Sequence, residues 1–446
     1  MNRRTLLAGA AALAAAPAWA QTSAPAGGHT RVVFWHAMNA PLGDELNKLV
    51  AGFNQSQADV EIVPVFKGSY AETLTAAIAA WRAGQAPHLV QMFEVGTGSM
   101  LAAGPAVKQA WQLLQETGVA LDTEQYIPAV RGYYSLPDGK LASAPFNSST
   151  AMLWYNADAF EKAGLDPERG PATWDDFTKA AEALKSKGGA EIPTTTAWFT
   201  WIQFEQFAAI HNLPYATKAN GFEGLDAQLD INKPGFVKHL TRLLDMSKAG
   251  TFKYTGRDGA PDPVFSSGQA AISFNSSGSR GEIAKNAKFK WREAELPYDA
   301  EIIKQPLNSV IGGASLWTMT APNRTAAEYK GVAQFLKYLS EPKQVAQWSE
   351  ATGYVPVTSG GYELIKQEGF YKNNPGADLP VEQLRRGTMT PNSKGFRLGR
   401  MPELRNIQYE EVEKAFQGQQ SAQQALDNAV TRGDRVLRDF ERANKT

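Results

Sequence analysis

The sequence predicts an α/β protein built from two lobes, and three observations carry that expectation. At 446 residues the chain exceeds what one ordinary hydrophobic core organises. Strand-like apolar runs alternate along it with stretches whose apolar residues recur at helical spacing, the pattern of sheets covered by helices. It also lacks cysteine, so stability must come from large apolar cores rather than cross-links.

The first element stands outside the fold. Asn2-Arg3-Arg4, an alanine-rich apolar run of about fourteen residues and the small-x-small end Ala18-Trp19-Ala20 read as an export signal at residues 1–20, cleaved after Ala20. A membrane anchor would need ~20 apolar residues. The paired arginines match the twin-arginine route loosely, which leaves the ordinary secretory route equally open. No cysteine follows the signal to carry a lipid, and no later apolar stretch is long enough to span a bilayer. The expectation is a soluble protein of the bacterial periplasm, with Ala24-Pro25-Ala26-Gly27-Gly28 as a disordered leader.

Arg31 to Trp35 then reads as a strand, Leu42, Leu46, Leu49, Val50 and Phe53 as the apolar face of a helix, and Val60 to Phe66 as a second strand. A helix from Tyr70 to Arg82, with Leu74, Ile78 and Trp81 on one face, leads to a buried strand from His88 to Phe93. Such alternation predicts a parallel sheet. A second cycle opens at the strand Ala151 to Tyr155, and Thr173 with Asp176 forms a capping box for a helix running to Leu184. A helix from Phe236 to Lys248, the strand Ala270 to Phe274 and the run Ala314 to Met319 continue it, and helices dominate from Ala326 onward. No internal repeats appear.

Lys plus Arg and Asp plus Glu stand at 45 each, so no basic face for nucleic acid is expected. Eleven tryptophans and fourteen tyrosines are the raw material of polyol and sugar sites, although a core position is the expected place of any single one. Catalytic signals are weak. His29, His36, His88, His211 and His239 lack the pairing of a zinc site, and there is neither a Gly-x-Ser-x-Gly elbow nor a phosphate-cradling glycine loop. Gly96-Thr97-Gly98-Ser99 has Leu101 where a dinucleotide fingerprint needs its third glycine, so it reads as a tight turn. Carboxylate pairs for glycosidic chemistry are set by distance in space, so a periplasmic glycosidase or phosphodiesterase stays open at this point. Small polar, glycine and aromatic residues do gather at predicted strand ends, where open α/β sheets present ligands. They include Phe146 to Thr150 at the passage between lobes, Ser276 to Ser279, Gly312-Gly313, Glu94, and Trp198 with Trp201, spaced to face the same way on a helix. Together they fit a small polyol phosphate.

At these residues the chain resembles the periplasmic glycerol-3-phosphate-binding proteins of ATP-driven importers, within the maltose-binding-like class of extracellular solute-binding proteins. The segments that carry the resemblance are Phe34-Trp35-His36, Lys67-Gly68-Ser69-Tyr70, Glu94 to Thr97, Pro145 to Thr150, Ile311 to Trp317, Thr352-Gly353-Tyr354 and Arg397-Leu398-Gly399. Departures lie at Phe66 and along Leu379 to Lys394, off the ligand positions. The resemblance implies a two-lobed periplasmic-binding-protein fold, each lobe a sheet flanked by helices, with a hinge crossed near Pro145, Ile311 and Val355. Residues 21–145 plus 312–355 would form the first lobe and residues 146–311 plus 356–446 the second.

The same resemblance places ligand contacts at Tyr70, Glu94, Gly313 and Tyr354 of the first lobe, and at Ser149, Trp198, Trp201, Ser276 and Arg405 of the second. It implies that Arg405, Tyr70, the Ser149 and Ser276 hydroxyls and the Gly313 amide hold phosphate. Glu94 would accept bonds from the glycerol hydroxyls, and the tryptophans would cover the ligand's C–H face. The function it implies is capture of sn-glycerol-3-phosphate, extended to glycerophosphodiesters such as glycerophosphocholine, for delivery to a membrane permease by a monomer without cofactor, metal or catalysis. The alternative is an oligosaccharide binder of the same fold.

Overall fold

The computed structural model describes residues 28–445. The expected export signal and its cleavage site lie outside these residues, as does all but the last residue of the leader.

Among the described residues ten strands form two sheets. The first sheet holds β1 (Thr30–His36), β2 (Val60–Phe66), β3 (Leu89–Phe93), β4 (Val107–Lys108), β5 (Ala144–Ser149) and, far later in the chain, β10 (Gly312–Met319). The second holds β6 (Ala151–Asn156), β7 (Ile192–Thr196), β8 (Ala270–Ser276) and β9 (Trp291–Ala294), in the order β7-β8-β6-β9. β1 pairs in parallel with β2 and β3, as the alternation predicts. The first sheet is nevertheless mixed, because β10 runs antiparallel to β3, β4 and β5. The reason is topological. β10 returns from the second sheet at the end where β5 leaves, with Gly312 opposite Ser149, so it must run back the other way.

That register also moves the first crossing. β5 stays paired through Ser149, so Ser149 belongs to the first sheet and not to the second lobe, and the chain crosses at Thr150 rather than near Pro145. The Thr150 hydroxyl donates to Val310 O (3.0 Å) and lies 2.8 Å from Ser309 Oγ, which ties the outgoing strand to the returning one. Val355 N donates to Ser148 O at 2.8 Å, so a third segment lies at the same place. Three chain segments thus lie side by side where β5 ends, and two of them, at Thr150 and at Ile311, pass between the sheets.

Helical spacing is legible where the buried face carries large residues. The helix Leu42–Ser56 buries Leu46, Leu49, Val50 and Phe53, as read from the sequence. The helix Tyr70–Arg82 buries Thr73 and Ala77 instead, and Ile78 is 41% exposed. Small residues let this helix lie close to its sheet, which rotates Ile78 outward. Before the helix Trp174–Ala183 only half of the expected capping box forms: Thr173 Oγ1 accepts from Asp176 N (3.1 Å) and donates to the Asp176 carboxylate (2.7 Å). Trp154 and Trp317 are fully buried core residues. His211 accepts from Asp299 N and His239 bonds to Gln203, both deep in the second lobe. Among the described residues no helix is long and apolar enough to cross a membrane.

The C-terminal helices Met401–Phe416 and Ala422–Asn444 pack on one another. The segment leading into them runs against the first lobe, where Tyr133 Oη donates to Phe396 O (2.7 Å) and Arg397 donates to Ser135 O (2.6 Å). Arg405 is therefore carried up to the boundary between the lobes.

Candidate functional site

A cavity of about 710 Å³ opens where the two sheets meet, a size suited to a small-molecule ligand. All nine residues expected at the site line it: Tyr70, Glu94, Ser149, Trp198, Trp201, Ser276, Gly313, Tyr354 and Arg405. The carboxyl ends of β3, β5 and β8 and the start of β10 bring four of them there, Glu94, Ser149, Ser276 and Gly313, as open α/β sheets do.

From the first lobe, Tyr70 opens its helix behind the N-cap Ser69. Its ring stacks on Phe93 (5.2 Å, 7°) and its Oη accepts from Asn147 Nδ2 at 3.0 Å. Asn147 Oδ1 in turn accepts from Gln91 Nε2 (2.8 Å), so a buried amide chain fixes the phenol. Tyr354 stacks on Trp348 and lies against Gly278, where an added Cβ would come within 2.9 Å of the ring. Gly313 has φ +82°, and a Cβ there would overlap the Asn147 carbonyl, so only glycine fits.

From the second lobe, Ser276 ends β8 and its Oγ accepts from Gly278 N at 3.1 Å. Ser149, which ends β5 of the first sheet and is 2% exposed, lines the cavity with it and makes no side-chain hydrogen bond among the described residues. Trp198 does not share a helix with Trp201, contrary to the expectation from their spacing. It sits at φ +48°, ahead of a π-helical turn at Thr200–Gln206. Both indoles still reach the cavity, and the Trp201 ring fills the space that a side chain at Gly312 would occupy. The Trp201 indole N–H is sealed from solvent without a partner among the described residues.

Arg405 departs from the expectation. It is 6% exposed, and its guanidinium is already bound by two carboxylates: Nη2 donates to Glu94 Oε1 (2.8 Å), while Nε and Nη2 donate to Glu205 (2.7 and 2.8 Å). It is thus the centre of a buried triad and not a free cation awaiting phosphate. Glu205, on the π-helical turn, is the residue that sequence reasoning missed. The available signal was a carboxylate inside the apolar run Trp201 to Ile210, which calls for a buried partner. Burial pushes the Glu94 carboxyl up to about 7 despite the neighbouring Arg405.

The sign of that shift gives an expected pH dependence. The folded-state value lies above the ordinary 4.5, so the proton on Glu94 favours the fold below about pH 4.5, and its contribution fades as pH rises through 7. Glu94→Gln, which cannot ionise, is expected to gain stability relative to the parent between pH 4.5 and 7.5. Paired thermal melts across that range check it, and a difference that does not change with pH contradicts it.

The fold and the cavity at the sheet ends define a solute-binding protein that holds a small ligand between two lobes. The family model "Bacterial extracellular solute-binding protein" matches residues 48–378, and the chain belongs to that family. Over 433 residues it is 46% identical to the sn-glycerol-3-phosphate-binding periplasmic protein of Pectobacterium atrosepticum, covering 97% of each chain. The protein of that name from Salmonella typhimurium is 44% identical and is matched over 94% of each chain. Solved structures confirm the two-domain, maltose-binding-like fold. UgpB of Mycobacterium tuberculosis, in complex with glycerophosphocholine, superposes with a TM-score of 0.76 at 20% identity over 93% of this chain and all of that one. The cyclic α-maltosyl-1,6-maltose binding protein of Arthrobacter globiformis gives 0.70 at 23% identity, over 92% and 100%.

Proposed function

We propose that this protein is the periplasmic ligand-capturing component of an ATP-driven importer for phosphoglycerol compounds. It binds sn-glycerol-3-phosphate and glycerophosphodiesters such as glycerophosphocholine and hands them to a membrane permease. It acts as a monomer, without catalysis, after cleavage behind Ala20. We take the lobes as residues 21–145 with 312–355 and residues 146–311 with 356–446; the pairing of β5 with β10 through Ser149 supports counting residues 146–149 with the first.

The observation that carries this reading is the convergence of all nine ligand positions on one cavity. The relatives at 44–46% identity, whose names state sn-glycerol-3-phosphate binding, support the ligand class. In the proposed mode the phosphate meets neutral donors: the Tyr70 phenol, the Ser149 and Ser276 hydroxyls, the Gly313 amide and the unpartnered Trp201 indole N–H. Arg405 reaches the ligand from within its triad. An anionic oxygen is accommodated beside it when Glu94 holds its proton, because the triad is then neutral.

Calorimetric titration of the mature chain tests this reading, with inorganic phosphate and maltose as controls. The expected result is micromolar or tighter binding of glycerol-3-phosphate or glycerophosphocholine and none of either control. Tight maltose binding, or silence with both phosphoglycerols, would overturn it.

A further inference from the structure

We propose that Trp198, Asp258, Asp262 and Glu282 form a subsite within the cavity for a cationic head group, an ammonium carried on the far side of the phosphate of a glycerophosphodiester. This rests on the phosphoglycerol reading above and adds to it a preference for the zwitterionic members of that class.

The protein pairs its fully buried carboxylates with cations. Glu94 and Glu205 share Arg405, Glu293 takes Arg280, Asp299 takes Arg242 and Lys238, Glu411 takes Arg432 and Lys414, and Glu441 takes Arg438 and Lys445. Three carboxylates of the cavity wall stand outside that buried set, Asp262 and Glu282 half-buried and Asp258 exposed. Asp258, Asp262 and Glu282 all line the cavity, and none has an ion-pair partner among the described residues. Asp262 is met only by neutral donors, Asn275 Nδ2 at 3.0 Å and the Trp198 indole, and burial pushes its carboxyl up to about 7. Glu282 Oε1 accepts from Ser266 Oγ (2.7 Å) and Asn286 Nδ2 (2.8 Å), while Oε2 is sealed from solvent without a partner. Asp258 is held close by: its carbonyl accepts from Trp198 N (2.8 Å), and Tyr409 Oη donates to its carboxylate (3.2 Å). Ser279, 8% exposed, lines the same cavity with a hydroxyl that has no partner among the described residues.

No cation of the wall is free to answer these charges. Arg257 lines the cavity, but its Nε and Nη2 are committed to Glu413 at 2.7 and 2.5 Å, and Arg405 is held by its two glutamates. A phosphate monoester alone would add negative charge to a cavity already lined by four carboxylates. A zwitterion brings the missing cation with it. The carboxylates supply the charge, and the indole face of Trp198 supplies the cation–π surface that suits an alkylated ammonium.

The test compares three ligands on the parent and on Asp262→Asn by calorimetry: glycerol-3-phosphate, glycerophosphocholine, and glycerophosphoglycerol, a diester without a cation. The expected result is about a tenfold loss of glycerophosphocholine affinity. Affinity for the two cation-free ligands should rise, since one opposing charge is gone. Equal losses for both diesters, or no change for glycerophosphocholine, would overturn the subsite while leaving the phosphoglycerol reading standing. A parent that binds none of the three overturns that reading itself. If Asp262→Asn does not fold, Glu282→Gln carries the same expectation and the same refutation.

Discussion

Arg405→Ala is expected to abolish ligand binding and to cost the folded protein about 3–5 kcal/mol, the range for removing one partner from a buried ion pair. The cost follows from what remains. Glu94 and Glu205 are 5% and 0% exposed, and without the guanidinium each is a desolvated carboxylate facing another. They must either pay for burial of charge or take up protons, and both routes weaken the fold at neutral pH. Binding is lost for a second reason: Arg405 holds Glu94 in position across the boundary between the lobes, so its loss frees the side chain expected to meet the glycerol hydroxyls. Urea unfolding at pH 7 reads the first effect and calorimetry the second. Adding Glu205→Gln to Arg405→Ala should return part of the stability but not the binding. A single variant with parental stability and affinity would show that the triad is neither buried nor engaged.

Gly313→Ala is expected to cost about 3 kcal/mol or more, because backbone strain and overpacking each contribute in the range of 1–3 kcal/mol. At φ +82° an alanine is strained whatever surrounds it, and its methyl would collide with the Asn147 carbonyl on the paired strand. Relief requires β5 and β10 to part where both enter the cavity. Asn147 would then move away from Tyr70, and Ser149 would move with its strand. Affinity should therefore fall along with the unfolding midpoint. An unchanged midpoint and affinity would mean that the two strands do not approach as closely as described.

The parts of this protein that announce themselves in sequence are those where one side-chain type answers one physical demand. Large apolar residues at helical spacing located the helix Leu42–Ser56, and Gly312-Gly313 marked a strand end suited to a ligand. Resemblance to a family supplied the nine site positions together, since nothing in local spacing relates Tyr70 to Arg405 across the length of the chain. What stayed hidden depends on partners far apart in sequence. The Tyr70–Arg82 helix buries Thr73 and Ala77 because its neighbour is close, which periodicity does not report. The antiparallel direction of β10 follows from where the chain returns, and β10 itself reads like any apolar strand. The pairing of Arg405 depends on Glu94 and Glu205, 311 and 200 residues away, so the cation expected to hold phosphate is already compensated. Asp262 is flanked by two prolines and resembles a turn, and only the fold shows that it lines the cavity without a counter-charge.

In the proposed binding mode, side chains from both lobes close around one phosphoglycerol molecule. A crystal structure of the mature protein grown with glycerophosphocholine tests it most directly. The ligand is expected between the lobes, with its phosphate on Tyr70, Ser149, Ser276 and the Gly313 amide, its glycerol hydroxyls at Glu94, and its ammonium against Trp198 and Asp262. A ligand bound outside this cavity, or one held there without contact to Glu94 and the serines, would contradict it.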